Sequence, residues 1–150
     1  MSEKNHLFQA GLDSFADRDF LSAAQWFEMA VKNGQSSHNA NFYLSFCLLE
    51  LQEFLKAEKI LEIILPQETR SIIILHNLAR AKVGLQKMEE AKSILRLEVT
   101  LDQDFAPAHF LLAELLAREG SPDEAQIVFI AGKKILSLYK QKYCYSSDPH

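Results

Sequence analysis

Phe20-Leu21-Ser22-Ala23-Ala24-Gln25-Trp26-Phe27 sets an aromatic residue three positions before an alanine and a second bulky residue four positions after it. The order returns at Phe54, Ala57 and Leu61, then at Met88, Ala91 and Leu95, then at Pro122, Ala125 and Phe129, each copy 34 residues beyond the last. Thirteen positions before the alanines stand Ala10, Leu44, Leu78 and Leu112, and each is followed by a small residue, Gly11, Ser45, Ala79 or Ala113. A small side chain lets two helix backbones approach until their bulky neighbours interlock. Self-similarity at a fixed step of this size marks a stack of like units.

Between the markers, apolar residues recur at three and four positions: Leu44, Leu48 and Leu51, then Ala57, Ile60, Leu61 and Ile64. That is helical spacing, so each unit reads as two helices. Gly34 and Gly84 follow helical stretches, Pro66 stops one, and Pro107 suits the first turn of another. In Gly120-Ser121-Pro122-Asp123-Glu124 the glycine suits a left-handed helix end, Ser121 a cap, Pro122 a first position, and Glu124 the second half of a capping box.

These residues resemble the tetratricopeptide repeat (TPR) family, whose 34-residue helical hairpins carry a large residue, a small one, an alanine, an aromatic and a second alanine. The resemblance spans residues 4 to 139. Gly11, Phe20, Ala23, Phe27 and Ala30 match in the first copy, and Leu44, Phe54, Ala57 and Leu61 in the second; Met88, Glu98, Pro122 and Gly132 depart from the pattern later. It implies an all-α, right-handed superhelical solenoid of about eight antiparallel helices. Its repeats would be 4–37, 38–71, 72–105 and 106–139 of a single domain, followed by a helix extension and tail, 140–150.

In that family the first helix of each hairpin lines a concave groove. Carried over, the groove residues are Asn5, Phe8, Leu12 and Phe15; Asn39, Phe42, Phe46 and Leu49; Ile73, His76 and Arg80; and Phe110, Glu114 and Arg118. Covering apolar surface is worth about 25 cal/mol per Å2, so such a trough would hold an apolar or amphipathic segment of a partner protein. A one-residue change of helical phase would instead tuck the phenylalanines into the interhelical core. Relatives that grip the acidic end of heat-shock chaperones use Lys and Asn where this chain has Phe8, Leu12 and Tyr43, and only Asn77 echoes them. Small bacterial chaperones of type III secretion are similar in size and acidity.

The last helix departs from the others. Gln25, Lys59 and Ser93, and likewise Glu28, Glu62 and Arg96, become Ile127 and Ile130 in the fourth copy. Repeat stacks usually end on a polar face. Ile127, Ile130, Ile135 and Leu138 therefore read as a terminal interface, to be covered by the tail with its tyrosines, a second copy making a homodimer, or a partner.

The 150 residues carry 16 Lys and Arg, 20 Asp and Glu, 48% apolar residues, 5 Gly, 4 Pro and 2 Cys. Disorder and disulfide scaffolding do not fit this composition, and the net charge of −4 gives nucleic acid no electrostatic footing. No cationic leader with an apolar core opens the chain, and its apolar runs fall far short of the roughly 20 residues of a membrane span. Cys47 and Cys144 suit a reducing cytoplasm. The five histidines lack metal-ligand spacing, no phosphate loop or nucleophile motif occurs, and Glu89-Glu90 and Asp123-Glu124 fit helix starts. The expectation is a protein without catalytic residues, metal or small-molecule cofactor.

Overall fold

A computed structural model describes residues 5–68 and 71–144. The tail beyond residue 144, with Tyr145 and His150, lies outside the described residues. The chain is all-α, with eight α-helices and no strand among the described residues. It divides into two compact units, one ending at Lys87 and the other starting at Met88.

The first unit holds α1 (His6–Ala16), α2 (Phe20–Lys32), α3 (Ser37–Glu50), α4 (Phe54–Ile64) and α5 (Ile72–Gly84), with a short 3-10 turn at Leu65–Gln67 that contains Pro66. The second holds α6 (Met88–Leu101), α7 (Ala106–Arg118) and α8 (Pro122–Cys144). The division runs between α5 and α6, within the third 34-residue copy.

The 34-residue step is present in the backbone as well as in the side chains. Arg18, Gln52, Gln86 and Gly120 all take left-handed φ, at 60°, 61°, 62° and 84°. At each, the following N–H bonds back to a carbonyl five residues earlier: Asp19 to Ser14, Glu53 to Leu48, Lys87 to Lys82 and Ser121 to Leu116, at 2.8–2.9 Å. This is the Schellman closure, which satisfies carbonyls that a helix end would otherwise leave bare. Asp19 then caps α2 by accepting from the Ser22 N–H at 3.1 Å, and that bonding holds its carboxyl below the usual range. Glu124 reaches instead across to Arg96 of α6, at 3.1 Å.

The packing follows the repeated residues. Ala23, Ala57 and Ala91 are wholly buried, as are Phe27, Leu61 and Leu95. Gly11 is small because Phe27 lies over it: a β-carbon there would stand 2.6 Å from the ring. Gly84 has a different role from the helix-end punctuation expected of it. It is the last residue of α5, and a β-carbon would stand 2.3 Å from the ring of Phe54. The core also holds charge: Glu58 of α4, 4% exposed, accepts from Lys82 at 2.6 Å and Lys87 at 2.8 Å. Burial pushes the Glu58 carboxyl up, but the two ammonium groups outweigh that and hold it below the usual range.

Candidate functional site

In the first unit, Phe8 and Phe15 of α1 and Phe42 and Phe46 of α3 are all half-buried. They are neither wholly exposed nor wholly core. Each meets other rings: Phe8 lies 5.7 Å from Phe27 and 6.1 Å from Tyr43, and Phe15 lies 5.2 Å from Tyr43 and 5.4 Å from Phe46. Tyr43, which stands at one of the positions where chaperone-gripping relatives carry Lys or Asn, is the hub. It stacks on Phe27 at 5.4 Å and 16° and meets Phe42 edge-on at 5.5 Å. Such pairs contribute about 0.5–1.5 kcal/mol beyond their area and fix the rings in place.

Beside this cluster opens a cavity of about 450 Å3 whose walls include Phe8, Leu12, Asn39, Phe42, Tyr43 and Ile73. Ile73 is 54% exposed. At the rim, the Nε2 of His38 lies 2.9 Å from the carboxylate of Glu68. The first helices of three successive hairpins thus share one apolar concavity with a polar edge. Ile73 stands there as the carried-over groove expects, whereas His38 and Glu68 join it by tertiary placement, which no single-helix pattern signals.

Not every expected groove residue faces this space. Leu49 is 3% exposed and belongs to the core, because α3 packs on both α4 and α5. Arg80 is already engaged: it donates to Glu50 at 2.8 Å, and its guanidinium lies 5.7 Å from the centre of the Phe46 ring. His76 is half-buried on α5. In the second unit, Phe110 is half-buried and meets Phe129 edge-on at 5.5 Å, while exposed Glu114 and Arg118 pair with each other one turn apart on α7.

The terminal residues divide as well. Ile127, Ile130 and Leu138 are 69%, 55% and 55% exposed, but Ile135 is half-buried, in a cavity shared with Val99 and Thr100 of α6. Phe129, Leu136, Tyr139 and Tyr143 are also exposed, at 46%, 43%, 61% and 52%, and Tyr139 and Tyr143 wall a cavity with Asp104, Ile135, Leu138 and Lys142.

Among the described residues there is no group of three or more side chains placed to hold a metal ion, and no helix long and apolar enough to cross a membrane. Cys47 is wholly buried, and burial pushes its thiol up to about 12.

No family model and no curated protein matches the sequence. Solved structures do resemble the fold. MamA (residues 41 to the end) from Desulfovibrio magneticus RS-1 aligns at a TM-score of 0.80 and 20% identity, over 91% of this chain and 76% of that one. TTC0263, a thermophilic TPR protein of Thermus thermophilus, aligns at 0.73 and 20%, over 86% and 72%. The chain has a TPR-type fold. A further MamA structure agrees, at 0.76 and 17% over 87% of this chain and 72% of that one. The TPR-type helices number as the 34-residue step requires, two to each copy.

Proposed function

We propose that this chain is a non-catalytic protein-binding module, a scaffold or chaperone, that holds an apolar or amphipathic segment of another protein against the rings of its first unit. The observation that carries this reading is the concavity walled by Phe8, Leu12, Phe42 and Tyr43 from α1 and α3. Rings already locked by their neighbours lose little freedom on binding, which favours capture. TPR-type architecture supports the reading. The four copies, 4–37, 38–71, 72–105 and 106–139, would act as a single domain in a reducing cytoplasm, with Cys47 kept as a thiol.

A photo-crosslinking residue at Asn39, exposed at the cavity edge, tests it. Adducts formed at Asn39 and lost on Phe42→Asp, with helicity retained, are expected. Adducts that survive Phe42→Asp would remove the groove.

The exposure of Ile127, Ile130 and Leu138 supports a second reading, self-association through α8. Replacing Ile127 with Glu and Ile130 with Lys should then abolish the dimer seen by light scattering, and a monomeric parent would end this reading.

A further inference from the structure

The 34-residue register places Phe129 where Phe27, Leu61 and Leu95 stand, yet those three are wholly buried and Phe129 is 46% exposed. In the first unit the cover is known: α3, the first helix of the next hairpin, stacks Tyr43 on Phe27. No such helix comes after α8 among the described residues. The seat remains as a cavity of about 580 Å3 between α7 and α8, walled by Phe110, Phe129, Gln126 and Glu114, whose carboxylate is paired with Arg118, over the small residues Ala113, Ala117 and Ala125. Small residues are what a close-packed helix needs beneath it.

The seat continues as a seam. Phe129, Gly132, Leu136, Tyr139 and Tyr143 follow one another along α8 at alternating steps of three and four, the spacing by which one helix lies along another; Gly132 is buried against Phe110 and His109 of α7, and the other four are exposed. From Ala125 to Cys144 the helix carries Lys133, Lys134, Lys140 and Lys142 and no carboxylate. Two of the lysines edge the seam: the Lys133 ammonium lies 5.9 Å from the centre of the Phe129 ring and that of Lys142 lies 5.4 Å from Tyr143.

We propose that this seat and seam dock an amphipathic helix of a partner protein, apolar along the contact and acidic along its edges. The site is distinct from the ring-lined concavity of the first unit. Charge decides against the same seam of a second copy, since the lysines edging each seam would meet with no carboxylate on either helix from Ala125 to Cys144; the Ile127 and Ile130 face lies on the other side of the helix. The chain's own outermost first helix does not fit either. Where α3, α5 and α7 bury Ala40, Ile74 and Ala108, and Cys47, Ala81 and Leu115, at 0–1% exposure, α1 carries His6 and Asp13, and an aspartate whose carboxylate bonds, among the described residues, only to the neutral Gln9 amide would have to be buried. A bilayer surface cannot follow a trough between two helices, whereas a helix can.

The test uses the full chain and two fluorescein-labelled 18-residue helical peptides with the same Ala and Leu face, one edged with Glu and one with Lys, followed by anisotropy at low salt. Binding of the Glu peptide at least tenfold tighter than the Lys peptide is expected. Leu136→Gln with Tyr139→Gln should weaken it at least tenfold at unchanged helicity, Lys133→Glu with Lys140→Glu should reverse the preference, and Phe42→Asp should leave it unchanged. Equal binding of the two peptides, or none, overturns the proposal. So does loss on Phe42→Asp, which would place the peptide in the first-unit groove. Binding to vesicles of phosphatidylcholine with phosphatidylserine that the Glu peptide does not displace, or a doubled mass removed by Leu136→Gln with Tyr139→Gln, would assign the face to a membrane or to a second copy and likewise overturn it.

Discussion

Gly84 lies against the ring of Phe54 so closely that a β-carbon would stand 2.3 Å from Cγ, 30 residues away in sequence. Helix propensity alone favours alanine over glycine by about 1 kcal/mol. Here the clash dominates, because the obstructing atoms are the root of a ring and not a flexible tip. Gly84→Ala should destabilise by about 1–3 kcal/mol, the usual range for overpacking, and lower the urea midpoint. A raised midpoint would mean that the ring yields.

Glu58 sits between Lys82 and Lys87 with its carboxyl held below the usual range. A depressed folded-state value stabilises above the unfolded value of about 4.3. That contribution is lost as pH falls through the folded value. Glu58→Gln removes the carboxylate that Lys82 meets at 2.6 Å and leaves Glu62 at 3.4 Å as its charge partner, and should cost about 1.5–3 kcal/mol at neutral pH. The difference from the parent should shrink below about pH 4.3, where unfolded carboxylates protonate. Denaturation midpoints between neutral and acid pH measure this, and a difference independent of pH would refute it.

Cys47 is wholly buried, with its thiol pushed up to about 12 by burial. The thiolate is the reactive form. Iodoacetamide at neutral pH should therefore leave Cys47 unmodified in the folded chain and alkylate it in urea, as peptide mass mapping would show. Labelling at equal rates in both states would contradict the burial.

Phe42 and Phe46 should separate under mutation. Phe46 meets Phe15, Phe20 and the Arg80 guanidinium, while Phe42 meets Tyr43 at the cavity wall. A fully buried Phe→Ala change costs about 3–5 kcal/mol. Half-buried Phe46→Ala should cost about 2 kcal/mol and Phe42→Ala under about 1 kcal/mol by urea denaturation. The reverse order would make Phe42 the structural ring.

The fold was legible because the alanines and bulky residues recur without a break, and Ala23, Phe27, Ala57, Leu61, Ala91 and Leu95 are all wholly buried. The groove was only partly legible. α3 runs Leu44, Phe46, Cys47, Leu48, Leu49 with scarcely a polar break, so its phase leaves no mark in the sequence, and Leu49 is core. Arg80 looked available because its partner Glu50 lies on another helix. On α8 the comparison with polar positions of earlier copies exposed Ile127 and Ile130, but Phe129 fits the pattern and so attracted no notice. Its exposure depends on whether another helix packs beyond α8, which is a tertiary fact.

The left-handed residues at 18, 52, 86 and 120 are arginine, glutamine, glutamine and glycine. Their hairpins are closed by main-chain N–H and carbonyl groups that nearly every amino acid possesses. Side chains change from joint to joint while the backbone angle and its closing bond recur, so the main chain carries the bend and only residues barred from a left-handed φ, proline above all, are shut out.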